Sequence, residues 1–304
     1  LPTSALEKTL LVVTGPTASG KSALSLRLAK ELSTEIISAD SRQLYRDIPI
    51  ATAAPSPQML AEIRHHLVGT LGLDEYYSAA RFEEDALALL PDIWNNSDVA
   101  IVCGGSMMYV DALTYGIDSL PDIDPDVRRR AYAIMDEGGI KAVAEELRRL
   151  DPVYWSRVDR ANHKRMIHAI EVSMQAGRPY SSLLTGRRRE RPFRIIRTAI
   201  GMERDELFGR INRRVDEMIA DGLEEEAMRV YPMRHYNSLN TVGLKEMFTM
   251  FDGQMDRSTA IARIAKNTRV YAKKQLTWLK KSTDTIFVTP DDAFEKILRL
   301  ITTS

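Results

Sequence analysis

Residues 9–30, TLLVVTGPTASGKSALSLRLAK, run an apolar strand-like segment into a glycine turn and then into a helical pattern. Inside them residues 15–22, GPTASGKS, match GxxxxGK[ST] with a strand before and a helix after, the context that turns the pattern into a phosphate site. Gly15 and Gly20 permit the backbone turns that aim the amides of Thr17, Ala18 and Ser19 inward, and a helix starting near Lys21 adds its positive dipole end. Lys21 then reaches terminal phosphate oxygens, and the Ser22 hydroxyl is placed to ligate a magnesium ion bridging them. The loop does not name its ligand, because it recognises a diphosphate unit and no nucleoside need be attached. An ATPase or GTPase also needs a second strand ending in a magnesium-supporting Asp. The candidate strand, DVAIVCGGSMMY, ends instead in Gly104, Gly105 and Ser106.

Further strand and helix signals alternate outward from the loop: a strand at residues 35–39, a helix at 78–94 and a strand at 99–103. That alternation predicts a parallel sheet with helical crossovers. After DSLPDIDP the pattern changes to helices alone, in DVRRRAYAIMDEG, IKAVAEELRRL and HKRMIHAIEVSMQAG. FRIIRTAIGM, residues 193–202, reads as a strand returning to the sheet, with mainly helical sequence beyond it. The expected fold is therefore α/β, with a P-loop NTPase-like parallel sheet core (residues 1–116 and 193–304) and an inserted helical subdomain (117–192).

At 44% hydrophobic and 28% charged, the 304 residues describe an ordinary globular chain with a sizeable core. No apolar run approaches the roughly 20 residues that cross a bilayer, and no basic-then-apolar leader is visible, so a cytoplasmic location without membrane contact is expected. Cys103 is the single cysteine, which excludes an internal disulfide and a cysteine-based metal cluster; it ends an apolar run and is expected to pack there. The histidines lack HExxH spacing and there is no GxSxG elbow, which sets aside zinc-protease and serine-hydrolase chemistry. The net charge of zero hides an asymmetry: residues 1–113 carry 8 Lys/Arg against 14 Asp/Glu, and the remainder carries 34 against 28. Residues 187–197, RRRERPFRIIR, hold six arginines, and residues 257–281 hold eight basic residues, no acidic one, and the aromatics Tyr271 and Trp278. A solvated helix face accounts for either cluster alone, but an acid-free run of 25 residues suits a polyanion such as RNA.

EIISADSRQLYRDI places Asp40 just past the carboxyl end of a strand, where parallel sheets gather their sites. A carboxylate there supports magnesium through water or takes a proton from a nucleophile, although taken in isolation a cap on the turn with Ser41 is the better reading. Ser106, at the second glycine turn, reads as a helix N-cap or a second polar group over the site, and Met107 and Met108 read as core.

Together GPTASGKS, SADSRQLYRDI, HHLVGTLGLDEYYSAARF, VCGGSMMYVDAL, DPVYWSRVDRANHKRMIHAIEV, GRINRRVDEMIADGLEEE, NTVGLKEM and TRVYAKKQLTWLKK resemble one family, the tRNA dimethylallyltransferases, over nearly the whole chain. The resemblance implies transfer of a dimethylallyl group from its diphosphate to the exocyclic amine of an adenosine beside the anticodon of a tRNA, with Mg2+ and no ATP. It assigns Asp40 as the base that takes the amine proton, Ser106 as a hydroxyl near the reaction channel, and Arg214 at the diphosphate, with Arg210 one turn earlier. It places Ser41, Arg42 and Gln43 at the flipped base, and Arg128, Arg157 and Arg165 of the helical insertion on the anticodon arm. Arg269, Lys273, Lys274 and Gln275 fall in the family's basic C-terminal motif toward tRNA, and a monomer is implied. The chain departs from the family's usual residues at Ala54, at Ala161–Asn162 and at His168, leaving the phosphate loop intact. A small-molecule kinase using the loop for ATP explains the basic run poorly, and a non-catalytic tRNA-binding paralogue sits poorly with intact Lys21, Ser22 and Asp40.

Overall fold

The computed structural model describes residues 7–303. A near-continuous apolar strand suits a sheet covered on both faces, and β1, Thr9–Thr14, is buried at every position. Left-handed backbone at Gly20 (φ 93°) turns the chain into α1, Lys21–Glu31, which leads to β2, Ile36–Ser38. Short helices α2, Pro49–Thr52, and α3, Pro57–Glu62, precede β3, His65–His66. Ser78 accepts the Arg81 amide to start α4, Ala79–Asn96, and β4, Val99–Cys103, and α5, Met107–Tyr115, follow.

The segment Gly116–Arg189 is a compact unit of its own. It holds α6, Pro125–Leu150, α7, Pro152–Arg157, and α8, His163–Ala176. Gly139 (φ 65°, ψ −165°) breaks α6 between the two helical runs read from sequence. Val143 and Leu147 pack with Met166 and Ile170 to make this unit's core.

From Glu190 the chain rejoins the first unit, with β5, Arg194–Ile200, α9, Arg204–Ala220, α10, Leu223–Val230, α11, Leu244–Phe251, α12, Arg257–Leu279, β6, Thr285–Val288, and α13, Ala293–Thr302. The six strands run β3-β2-β4-β1-β5-β6, and every pairing is parallel. This is the expected P-loop NTPase-like α/β sheet. β1 and β4 are neighbours, but β1 leads on toward β2 and β4 toward β5, on opposite sides of the pair. Such a reversal opens a crevice at the carboxyl ends of the strands. Leu11, Val13, Leu28, Ile101 and Ile297 form the main core, and Cys103 packs within it. Burial pushes the Cys103 thiol pKa up.

Two strands were not anticipated. β6 is four residues of TIFV after a charged turn, and β3 is a pair of histidines; edge strands this short carry too little alternation to be read. Met108, expected in the core, is 67% exposed on α5. Among the described residues no helix is long and apolar enough to cross a membrane.

Candidate active site

The phosphate loop leaves β1 at the crevice. Ala18 holds a positive φ of 65°, uncommon for a residue with a side chain and typical of sites where the surroundings impose the turn. The Ser19 amide donates to the Pro16 carbonyl at 3.2 Å, while the Ser19 hydroxyl is buried with no hydrogen-bond partner among the described residues. Thr17, Lys21 and Ser22 line the cavity beside the loop. Burial pushes the Lys21 pKa down, with Arg214 adding to the shift and Cys103 and Asp40 opposing it.

Asp40 follows β2 and faces the same cavity. Its Oδ1 accepts the Arg42 amide at 2.9 Å, so one oxygen caps the turn, as the bland reading required. The Ser106 carbonyl accepts the Val110 amide at 3.1 Å as α5 begins, and the hydroxyl turns to the Asp40 loop. It accepts the Ser41 amide at 2.8 Å and donates to the Ser41 hydroxyl at 3.1 Å, holding the Asp40 turn from beneath instead of lining the cavity. Gly104 makes the close approach workable, since a Cβ there would lie 2.2 Å from the Ala39 carbonyl oxygen.

Helices α9 and α12 close the cavity, whose volume is about 340 Å³. Ile264, Thr268, Tyr271 and Gln275 line it together, because residues spaced by three and four share one face of a helix. Gln275, expected at tRNA, is 3% exposed. Its Oε1 accepts the Thr17 amide at 2.9 Å and its Nε2 donates to the Gly105 carbonyl at 2.9 Å, tying the two glycine turns together. Arg214 also lines the cavity. Burial pushes its pKa down and the Asp40 carboxylate opposes this, so an exposed i, i+4 face does not describe it. Arg210, one turn earlier, is half-buried and is not among the cavity's lining residues: its guanidinium bonds Glu206 at 3.0 Å, and its Nη1 lies 3.7 Å from where a Cβ on Gly20 would stand.

Arg42 and Gln43 line the cavity but are already engaged. Arg42 donates to the carbonyls of Asn237, Ser238 and Asn240, and Gln43 to those of Thr52 and Ala53. Lys273 and Lys274 lie exposed on the outer face of α12. Arg269 donates to the Asn212 side chain at 2.5 Å. Arg269, Lys273 and Arg204 stand 5.8, 5.6 and 5.1 Å from the centre of the Phe208 ring. In the helical unit Arg128 pairs with Glu171 at 3.2 Å, Arg157 lies 5.7 Å over Tyr154, and Arg165 is exposed.

Sequence reasoning missed Lys245, Met218 and Tyr271 as cavity residues. Burial and the nearby Asp40 carboxylate push the Tyr271 phenol up to about 12. The signal was the apolar and neutral face of α12 at helical spacing, hidden beneath the eight basic residues of the same run.

A family model described as IPP transferase matches residues 43–282, a span that begins just after Asp40. tRNA dimethylallyltransferase 1 of Phocaeicola vulgatus is 50% identical over 287 residues, 94% of this chain and 96% of that protein. tRNA dimethylallyltransferase 2 of Parabacteroides distasonis is 48% identical over 283 residues, 93% and 95% of the two. The crystal structure of the full-length tRNA isopentenylpyrophosphate transferase of Bacillus halodurans superposes with a TM-score of 0.71 at 32% identity, covering 97% of this chain and 96% of that one.

Proposed function

The chain belongs to the IPP transferase family, and from that premise we propose that it transfers a dimethylallyl group from dimethylallyl diphosphate to the exocyclic amine of an adenosine adjacent to the anticodon of tRNA. The observation that carries the proposal is one cavity lined by the phosphate-loop residues Thr17, Lys21 and Ser22, the carboxylate Asp40 and the half-buried cation Arg214. Lys21, Arg214 and the loop amides other than those of Thr17 and Ser19, which bond Gln275 and Pro16, hold the diphosphate, whose bridging oxygen keeps the electron pair as the allylic C–O bond breaks. Preorganised cations and amides aimed at that developing charge lower the barrier. The adenine amine attacks the allylic carbon, and Asp40, with Oδ2 left open by the Oδ1 contact to Arg42, takes the amine proton. Ser106 acts through Ser41 by fixing that turn.

Magnesium fits the site on the chemistry of its donors. Ser22 presents a hydroxyl to the cavity, and among the described residues no group of three or more acidic, histidine or cysteine side chains gathers to hold a metal. A magnesium ion that takes most of its ligands from water and diphosphate needs no such group. When bound it supplies neutralisation of the leaving diphosphate.

Exposed Arg157 and Arg165 of the helical unit, with Lys273 and Lys274 of α12, are the contacts to the tRNA backbone, a monomer acting on tRNA in the cytoplasm. The test is incubation of the purified chain with radiolabelled dimethylallyl diphosphate, magnesium and unmodified tRNA, beside a control with ATP and no donor. Label appearing in tRNA without nucleotide supports the proposal. ATP turnover with no label transfer returns the chain to the kinase reading.

A further inference from the structure

The acidic run Glu224, Glu225, Glu226 opens α10. Its members behave differently. Glu224 pairs with Arg257 at 2.7 Å and Glu225 is exposed, but Glu226 is 1% exposed, on the face that carries Leu223, Ala227 and Val230. A buried carboxylate is costly unless its oxygens are hydrogen-bonded. Here the Ile50 amide donates to Oε2 at 2.9 Å and the Ala51 amide to Oε1 at 2.8 Å. Arg229, one turn on, donates to the Asp47 carbonyl at 2.9 Å. From the opposite side the Gln43 amide donates to the Ala53 carbonyl at 3.0 Å, while its Oε1 accepts the Ser38 hydroxyl at 3.1 Å. Residues 47–53 are thus suspended between α10 and the Asp40 turn, and their inner side, Ala51, Thr52 and Ala53, is cavity wall. No residue of α10 itself reaches the cavity.

Among the polar members of the lining, Ala51, Ala53, Met218, Val242 and Ile264 supply apolar surface of the kind a five-carbon chain requires. We infer that Glu226 is a positioning residue, whose grip on the Ile50 and Ala51 amides sets the wall at residues 51–53 against which the allyl group of the donor packs. The inference rests on the prenyl-transfer reading for the identity of the donor. The grip itself is observable without any turnover.

The experiment uses the full chain and the Glu226→Gln variant, in which one acceptor becomes an NH2 group facing a backbone N–H. Amide hydrogen exchange at Ile50 and Ala51 is measured beside the dissociation constant for dimethylallyl diphosphate by titration without tRNA, the dissociation constant for tRNA, and KM and kcat. Expected are protection lowered by about tenfold or more at the amide left facing the NH2 group and donor affinity weakened by about tenfold, with tRNA affinity and kcat within about twofold of wild type. A residue that only stabilises the fold lowers the active fraction and leaves donor affinity where it was. If Glu226→Gln does not fold, Ala51→Val changes the same wall with the grip intact and carries the same expectation for donor affinity. Retained protection at Ile50 and Ala51, or lost protection with unchanged donor affinity, overturns the inference. A wild-type chain that moves no label into tRNA overturns the prenyl-transfer reading instead, and the exchange result stands apart from it.

Discussion

Replacing Gln275 tests whether α12 belongs to the donor site or to the RNA surface. In Gln275→Leu the side-chain volume is nearly kept, but the Thr17 amide and the Gly105 carbonyl lose the hydrogen bonds they make at 2.9 Å each. A buried polar group left without a partner costs about 1–3 kcal/mol. Gly105 is buried and bears most of that cost, while Thr17 is half-buried and water recovers part of its share, so the sum expected is about 2–4 kcal/mol. Gln275→Glu is the sharper variant. One carboxylate oxygen still accepts the Thr17 amide, but the other replaces a donor opposite the Gly105 carbonyl and brings negative charge beside the diphosphate. Donor affinity is expected to fall by about tenfold in Gln275→Leu and further in Gln275→Glu, since each 1.4 kcal/mol is a factor of ten. The assays are urea unfolding followed by circular dichroism and titration with dimethylallyl diphosphate, with tRNA binding as the control. Gln275→Leu within about 0.5 kcal/mol of wild type, or Gln275→Glu binding donor as well as wild type, refutes the clamp. Lost tRNA affinity with stability and donor binding intact returns Gln275 to the RNA surface.

Asp40→Asn is expected to lower the transfer rate by about 10²–10⁴, the usual worth of a positioned base, while tRNA binding in a filter assay stays near wild type; turnover near the wild-type rate removes Asp40 from the proton path. Burial holds the Lys21 pKa below its ordinary 10.5, so Lys21 loses its proton, and the donor its cation, as pH rises through that lowered value. Donor affinity therefore weakens on the alkaline side before free lysine titrates, and Lys21→Met, with weaker binding throughout, shows no such limb. Changing Lys273 and Lys274 to Ala should flatten the salt dependence of tRNA binding by roughly 0.7–0.9 of a log–log slope unit per lost phosphate contact; an unchanged slope makes them a solvated helix face. Arg191 and Glu83 are both buried and paired at 2.7 Å, and Arg191 also donates to the carbonyls of Ala112 and Leu113. Arg191→Ala takes the guanidinium from this buried ion pair and from the two carbonyls, and is expected to cost about 3–5 kcal/mol in urea unfolding, whereas a loss below 1 kcal/mol assigns the pair no structural weight.

Some of this chemistry was written in short range. The loop at residues 15–22 could be read because its function needs glycines, a lysine and a hydroxyl at fixed offsets between a strand and a helix, and all of them are contiguous. The sheet could be read for a similar reason: buried parallel strands are near-continuous apolar runs, and β1, β2, β4 and β5 all show one. Position past a strand end pointed to Asp40, and resemblance to Arg214. Neither offset nor period could distinguish Arg214, at the cavity, from Arg210, paired with Glu206. Both lie on α9 in one run of arginines, and their difference arises from what packs against the helix.

The same holds for the residues whose reading changed. Gln275 looked like one more polar side chain in a basic helix, and nothing in the sequence set Glu226 apart from Glu224 and Glu225, because composition reports the exposed majority of a helix and not the one side chain turned inward. Both find their partners far along the chain, Thr17 and Gly105 for Gln275 and Ile50 and Ala51 for Glu226. By itself the sequence determined four of the six strands and the phosphate loop, since local spacing carries each of them. Only the tertiary structure decided which polar side chains are buried, and so which ones shape the site: a buried donor or acceptor must be matched wherever the fold brings a partner, and that pairing has no period in the sequence.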